Sequence, residues 1–339
     1  YFIMNKYISI FFCVQIIALN LFAMQPKVTP VDYVRPQIDT HKSRWFFFSS
    51  ASRPFGMVSL SPDTWTEGSW NSGYLYNSKE IRCFSHVHCW QLAGVPVMPT
   101  TGEVKGHKGM DAYKSTYSHE TEIVKPGYHK VELDTYQIRV ELTSTSRVGM
   151  HRYTYPAGEK ANVLFDVGAL LAHGKTEKAA IHRISSKEIG GYSVLAPTSR
   201  RKKPVTVYFV ARFNQNMTAF GGWEKEGKEK KLVHKNSIEG ADIGGYASFG
   251  KLKKQTLLMK VGISYVSEEQ ARINLEKELA HWNFDRVKED AFAEWNRELG
   301  KITVEGGSEE EKIKFYTDLW HSLLGRHTFS DFNGKYIDN

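Results

Sequence analysis

Aromatic rings, imidazoles and glycine turns are concentrated between Arg53 and Gly94 of this 339-residue chain. A sugar ring offers an apolar C–H face and a rim of hydroxyls, so flat aromatic faces beside fixed hydrogen-bonding groups suit it. The pattern predicts a sugar-binding cleft. The alternative is that these rings are core residues, since Trp and Tyr are usually largely buried. The residues concerned are Trp65, Trp70, Tyr74, Tyr76, His86, His88 and Trp90.

A second chemistry is open to His86 and His88, which are two residues apart. On a strand such residues share a face, so the two imidazoles would be able to hold one zinc ion, as in metal-dependent hydrolases. That site would need further His or Asp ligands on later strands, and the sequence marks none. A structural role, in which one imidazole bonds a backbone group in the core, is the simpler alternative.

The composition is that of an ordinary globular protein, with 41% hydrophobic and 24% charged residues, and the length suggests about two domains. The net charge of +8 is concentrated between Thr198 and Lys260, where basic runs are typical of solvated loop tips. With no recognisable nucleic-acid module, nucleic acid is not an expected partner. Cys83 and Cys89 are expected to be free thiols, because residues six apart on one strand span roughly 20 Å and cannot bridge.

Residues 4–24 have the pattern of a secretory signal peptide. Lys6 precedes an apolar run over residues 8–22, and the small residue Ala23 follows it. The run is too short to span a bilayer comfortably, so no stable membrane span is expected after its removal. The sequence therefore predicts an exported protein, either periplasmic or extracellular.

The sequence pattern changes from one typical of strands to one typical of helices at Ser267. Over residues 26–266, alternating and β-branched runs separated by Gly and Pro turns predict two packed antiparallel sheets. Over residues 267–307, a cap at Ser267 and apolar residues four apart predict two helices, with a short strand at 302–304. A second cap at Ser308 opens an amphipathic helix within residues 308–339, where a helical region begins.

Several motifs follow one another in an order found in one enzyme family: RPFGM at 53–57, SPDT at 61–64, GYLY at 73–76, FSHVH at 84–88, PVMPT at 96–100, HSLL at 321–324 and SDFNGKY at 330–336. By these motifs the chain resembles the N-terminal part of glycoside hydrolase family 92, whose members are calcium-dependent exo-acting α-mannosidases exported mostly by bacteria. The resemblance implies a β-sandwich of the supersandwich type (26–266), a helical linker (267–307) and the start of an (α/α)₆ catalytic barrel (308–339).

The resemblance also implies a function: removal of terminal α-linked mannose from glycans by calcium-assisted, inverting acid/base hydrolysis. In this family the general acid, the general base and the Ca²⁺ ligands lie mostly in the barrel, so catalytic and metal-binding residues are expected beyond Asn339. A non-catalytic carbohydrate-binding sandwich remains an alternative. The resemblance places four residues at the lip of the sugar pocket and one on a mannose hydroxyl: Trp70, Tyr74, His86 and His88, and Asp331.

Overall fold

The structure is a computed structural model that describes residues 28–41, 49–66, 73–89, 92–169, 175–199 and 201–338. The first ten strands are β1 (Ser61–Asp63), β2 (Glu80–Ile81), β3 (Cys83–Ser85), β4 (Val87–Cys89), β5 (Leu92–Gly94), β6 (Val97–Thr101), β7 (Ser115–Thr116), β8 (Ile123–Lys125), β9 (Tyr128–Leu133) and β10 (Ile138–Ser144). The next ten are β11 (Val148–Thr154), β12 (Lys160–Phe165), β13 (Thr176–Arg183), β14 (Glu188–Leu195), β15 (Val205–Phe213), β16 (Ala219–Glu226), β17 (Glu229–Val233), β18 (Ser237–Gly240), β19 (Gly244–Lys251) and β20 (Thr256–Ser264). The helices are α1 (Met110–Tyr113), α2 (Glu268–Glu278), α3 (Phe284–Leu299) and α4 (Glu309–Leu324), with 3₁₀ turns at Pro30–Tyr33 and Gly106–Lys108.

Two large antiparallel sheets form the body of the protein. The seven-stranded sheet has the order β1-β3-β6-β12-β19-β16-β17, and the nine-stranded sheet has the order β18-β13-β14-β15-β20-β11-β10-β9-β8. Two small ribbons, β2-β7 and β4-β5, lie outside these sheets. Strand β9 shows how the alternation works, because every second residue is buried and its neighbours are partly exposed.

The main core lies between the two sheets. Phe165 of one sheet stacks on Phe209 of the other with centroids 5.9 Å apart, and meets Phe213 edge-on at 6.3 Å. Trp223 is fully buried beside them, and it fits because Gly244 has no side chain. A Cβ at Gly244 would lie 2.1 Å from the indole. The stacked and edge-on rings therefore join the two sheets into one sandwich.

Helix α2 covers the outer face of the nine-stranded sheet. Its residues Ala271 and Leu275 pack in one cluster with Val148 and Met150 of β11. The contact is close: a Cβ at Gly262 of β20 would lie 2.4 Å from the Ala271 carbonyl oxygen. The central strands are consequently buried on both faces, one by the opposite sheet and the other by this helix.

Helices α3 and α4 pack with the segment before the sandwich in a separate cluster, which includes Val31, Val34, Trp295 and Trp320. The Trp295 indole N–H donates to the Ser52 carbonyl at 2.7 Å. The segment 49–56 therefore lies along the seam where the sandwich meets the helices.

None of the helices in the described part of the chain combines the length and apolarity that a bilayer span requires.

The fold class predicted from the sequence is confirmed: the protein is mostly β, with two antiparallel sheets followed by helices. The prediction of free thiols is also confirmed for Cys83 and Cys89. The predicted strand at 302–304 is wrong, because these residues pair with no other strand. The signal peptide at 4–24 lies outside the described residues, and the division at residues 266 and 307 stays a prediction.

Candidate functional site

The segment around Gly73 closes over the imidazole of His88. Trp65 and Gly73 exchange two backbone hydrogen bonds of 3.0 Å, which forms an isolated bridge. Gly73 has φ +116°, a conformation that L side chains rarely adopt. A Cβ at this position would lie 3.3 Å from Cδ2 of His88. The glycine of the GYLY motif is therefore required by its backbone conformation and by the close imidazole.

Both ring nitrogens of His88 donate hydrogen bonds. Nε2 donates to Oδ1 of Asp63 at 2.8 Å, and Nδ1 donates to the carbonyl of Ser59 at 2.7 Å. Because both partners are acceptors, the ring carries two protons and a positive charge. Burial by itself lowers the pKa of His88, but the charge and hydrogen bond of Asp63 and the Ser59 carbonyl outweigh it and raise the pKa. Asp63 and His88 thus form a buried ion pair.

The second oxygen of Asp63 is also occupied. Oδ2 accepts from the Ser85 hydroxyl at 2.5 Å and from the Cys83 thiol at 3.3 Å. All four side chains of this cluster are buried. Burial and the neighbouring Asp63 carboxylate raise the pKa of the Cys83 thiol well above its usual range, so this cysteine is not a nucleophile. The cluster is a closed structural unit that lies against Gly73.

His86 belongs to a different buried network. Its Nδ1 donates to the Val95 carbonyl at 2.7 Å, and its Nε2 lies 2.8 Å from Nε2 of His151. The Tyr153 hydroxyl donates to Nδ1 of His151 at 2.9 Å, so His151 donates from Nε2 to the unprotonated Nε2 of His86. Burial lowers the pKa of His86 to about 4 and that of His151 well below its usual value. Both imidazoles are neutral.

The structure places both histidines in the interior. His86 and His88 are 0% and 2% exposed, and their place at the lip of a sugar pocket stays a prediction. Their ring nitrogens bind different partners, so they do not jointly hold one zinc ion. His86 also lies between β3 and β4 rather than on a common strand with His88. The alternative of a structural role holds for both.

Tyr74 is likewise inside, at 5% exposure, and its place at the lip stays a prediction. Its hydroxyl donates to Oε2 of Glu122 at 2.9 Å, and the amide of Gln37 donates to both Tyr74 (3.0 Å) and Glu122 (2.8 Å). Nδ1 of His119 lies 2.7 Å from Oε2 of Glu122, and Nε2 of His129 lies 3.0 Å from Oε1. These five residues form a polar cluster that we call the Glu122 cluster.

The Glu122 carboxylate is charged although its side chain is only 1% exposed. Burial raises its pKa, but hydrogen bonds from His129, His119 and Tyr74 and the charge of His129 outweigh burial and lower the pKa below the usual value. The cluster joins three parts of the chain that are distant in sequence: Gln37, Tyr74 and the stretch 119–129. Tyr76, whose ring stacks on His119 with centroids 4.0 Å apart, is held on the surface by it.

Asp331 is an anchor in this part of the protein. Its Oδ1 accepts from the Asn274 amide at 2.7 Å and its Oδ2 accepts from the Ser264 hydroxyl at 2.9 Å. The backbone turns directly after it, since its N–H donates to the Lys335 carbonyl at 2.7 Å. At 1% exposure it fastens the loop after α4 to β20 and α2. Trp70, the remaining predicted sugar contact, lies outside the described residues.

A cavity of about 630 Å³ opens at the end of α4, and we call it the seam cavity. Its volume lies within the range of roughly 300–1,000 Å³ typical of small-molecule sites. Sequence reasoning missed it, although its histidine and one of its rings stand just before the SDFNGKY motif. Its lining includes Tyr265, His327 and Phe329.

One group of possible metal ligands occurs among the described residues, and it does not fit calcium. Oxygens of Asp39 and Asp318 and a ring nitrogen of His321 lie within 4.8 Å of one another. Calcium takes six to eight oxygen ligands, and an imidazole is not one of them. The Lys314 ammonium already donates to Asp318 at 3.0 Å. Asp39, Asp318 and His321 therefore do not make a calcium site.

Solved structures with the same architecture include mannosidases. A family GH92 α-mannosidase of Bacteroides thetaiotaomicron superposes with a TM-score of 0.81 and 29% identity, over 92% of this chain and 43% of its own. It has also been solved in complex with mannoimidazole. Residues 33–264 match the N-terminal domain of glycosyl hydrolase family 92, and residues 270–339 match the catalytic domain of that family. The chain belongs to glycosyl hydrolase family 92.

Two further proteins are similar to the chain. An inverting GH92 mannosidase of Bacteroides thetaiotaomicron shares the fold, with a TM-score of 0.78 and 24% identity over 93% of this chain and 43% of its own. An uncharacterised secreted glycosidase of Arthroderma benhamiae is 23% identical over 318 residues, which are 84% of this chain and 40% of that protein. The chain thus spans about two fifths of the length of the proteins that it matches.

Proposed function

We propose that this chain belongs to a longer, exported α-mannosidase that removes terminal α-linked mannose from glycans by inverting hydrolysis. The observation that carries the proposal is the order of the two family matches. The N-terminal domain match is followed directly by a catalytic domain match that runs to residue 339. Export is supported by the signal-like residues 4–24 and by the secreted relative.

In this proposal the sandwich (26–266) forms one wall of the sugar site and the helical barrel starts after the linker, at residue 308. Trp70 contributes an aromatic face to that wall. Tyr74, His86, His88 and Asp331 act from behind it, because their hydrogen bonds fix the segments on which exposed groups stand. Rigid support of this kind keeps binding groups in place before the sugar arrives.

Inverting hydrolysis needs a carboxylic acid for the leaving oxygen and a carboxylate base for water, roughly 6.5–9.5 Å apart. We assign both to sequence beyond Asn339, together with the ligands of a calcium ion. The buried carboxylates described above are unsuited to these roles. Asp63 and Glu122 are held in their charged form by histidines and have no access to solvent.

The test is mannose release by the complete protein. We expect it to hydrolyse methyl and aryl α-mannosides, to lose activity in a chelator and to regain it with calcium. NMR of the first product should show β-mannose, the inverted anomer. α-Mannose as the first product, or full activity in the chelator, would contradict the mechanism.

A second candidate, a non-catalytic carbohydrate-binding protein, is favoured by the aromatic lining of the seam cavity. Binding of α-mannosides by the complete protein without any release of mannose would support this alternative. Retained binding and release together would exclude it.

A further inference from the structure

The loop after α4 is fastened to the RPFGM turn of the sandwich by two hydrogen bonds. Nδ1 of His327 donates to the Gly56 carbonyl at 2.9 Å, and the Thr328 N–H donates to the Phe55 carbonyl at 3.0 Å. Phe55 adopts φ +58°, so the turn presents both carbonyls to the loop. The imidazole of His327 is thereby held at the wall of the seam cavity.

The hydrogen bond to Gly56 decides the chemistry of His327. A carbonyl oxygen only accepts, so the proton of the neutral ring is on Nδ1 and a lone pair is left on Nε2. Among the described residues, His327 makes this one hydrogen bond. Burial lowers the pKa of His327, the Gly56 carbonyl raises it and nearby His88 lowers it, with a net decrease. Nε2 is therefore an acceptor that has no partner within the described part of the chain, at the wall of a cavity.

Phe329 supplies an apolar face beside this acceptor. Phe329 is 53% exposed, and the centroid of its ring lies 5.4 Å from that of Tyr265. Tyr265 is 7% exposed and also lines the seam cavity. Such an acceptor beside a supported aromatic ring matches the two surfaces of a hexose, the hydroxyl rim and the C–H face.

We propose that His327 and Phe329 form a hexose subsite in the seam cavity, where Nε2 accepts a hydrogen bond from a sugar hydroxyl and the phenyl ring packs on the C–H face. The inference deepens the proposed function and rests on it for the choice of mannose as the sugar. Neither residue is assigned a role in bond cleavage: both bind and orient the sugar.

The two isosteric changes at His327 separate its two nitrogens. His327→Asn keeps a donor near the Nδ1 position for the Gly56 carbonyl and removes the acceptor at Nε2. His327→Gln keeps an acceptor near the Nε2 position and loses the bond to Gly56. His281→Asn, at a half-buried position after α2 that does not line the seam cavity, is the matched control, and Phe329→Leu removes the aromatic face.

The experiment is calorimetric titration of the complete protein with methyl α-mannoside, with thermal melting of each variant. We expect His327→Asn and Phe329→Leu each to weaken binding roughly three- to tenfold, with His281→Asn unchanged and His327→Gln intermediate. Unchanged affinity in both His327→Asn and Phe329→Leu overturns the proposal. KM for an α-mannoside should rise with little change in kcat.

A structure of the unaltered complete protein with methyl α-mannoside covers the case in which a variant fails to fold. A sugar oxygen within hydrogen-bonding distance of Nε2 supports the proposal, and a sugar bound elsewhere or an apolar side chain filling the cavity overturns it. If His327→Asn releases mannose with an unchanged KM, the subsite is contradicted and the proposed function is still supported. If the protein instead binds methyl β-galactoside and not the mannoside, and His327→Asn weakens that binding, the subsite is supported and the proposed function is contradicted.

Discussion

The Asp63 carboxylate and the His88 imidazole form an ion pair with Oδ1 and Nε2 2.8 Å apart, and neither side chain is more than 1% exposed. Gly73 lies directly against the imidazole, so the pair supports the backbone at Gly73. A buried charge that loses its partner is strongly unfavourable, which makes this pair sensitive to single substitutions.

His88→Gln should therefore destabilise the protein by about 3–5 kcal/mol, because it leaves the Asp63 charge buried without a counter-charge. Denaturant unfolding monitored by tryptophan fluorescence measures the change. The double variant Asp63→Asn/His88→Gln should be more stable than His88→Gln alone. A single variant as stable as the unaltered protein would show that the pair is not charged.

The pH dependence of this pair has a defined sign. The pKa of His88 is raised in the folded protein above its usual 6.5. Its contribution to stability is therefore fully present below pH 6.5 and is lost as the pH rises through the folded pKa. The difference in the free energy of unfolding between the unaltered protein and His88→Gln should therefore decrease as the pH rises above 6.5. A difference that increases with pH would contradict the charged state assigned to His88.

Glu122→Gln tests the Glu122 cluster. The change removes a charge that accepts from Tyr74, Gln37 and His119, and it directs an amide N–H₂ toward groups that donate. We expect a loss of about 2–4 kcal/mol in the free energy of unfolding. Glu120→Gln, at an exposed position in the same loop, is the control and should change stability little. Equal effects at the two positions would refute a special role for Glu122.

Asp166→Asn should stabilise the protein at pH 7. Burial raises the pKa of Asp166 to about 6 from its usual 3.8, although the hydrogen bond from Tyr113 opposes the rise. The neutral form is favoured on folding, so the contribution of Asp166 is present below pH 3.8 and is lost as the pH rises through about 6. The amide of the variant is neutral at every pH, so the substitution should raise the free energy of unfolding by up to about 3 kcal/mol at pH 7.

Unfolding of Asp166→Asn at several pH values checks this prediction. The advantage of the variant should decrease as the pH falls from 7 to 4, whereas Asp134→Asn at an exposed position should show no such trend. A destabilised variant at pH 7 would mean that the Asp166 charge has a compensating partner.

Asp331→Ala should lower the free energy of unfolding by about 1–3 kcal/mol, because the Ser264 hydroxyl and the Asn274 amide each lose an acceptor. Asp338→Ala, at an exposed position a few residues later, is the control. Chemical denaturation measures both. If Asp331 also contacts the sugar in the complete protein, its variant will raise KM beyond what the change in stability explains.

Local patterns were sufficient to predict the architecture. Ser267 and Ser308 mark the starts of α2 and α4, and each hydroxyl accepts from the backbone N–H three residues on. The alternation of apolar residues predicted the sandwich. At 302–304, by contrast, three residues of high β-propensity have no neighbouring strand, so local propensity alone gave a wrong strand.

The surroundings of the site residues were beyond prediction, because their partners are distant in sequence. Tyr74 meets Glu122 48 positions away, and His86 meets His151 65 positions away. Ring type and spacing do not distinguish a Tyr or His on a cleft from one inside, since both are polar groups on large apolar rings. The two residues proposed for the seam cavity, His327 and Phe329, come together with the sandwich only through the fold.

The central claim is that residues 1–339 carry a wall of the sugar site and not the catalytic acid and base. Purified protein ending at Asn339 and the complete protein should be compared for mannose release from an α-mannoside at equal concentration, with calcium present. We predict release by the complete protein and none by the shorter one. Release at equal rates would contradict the account.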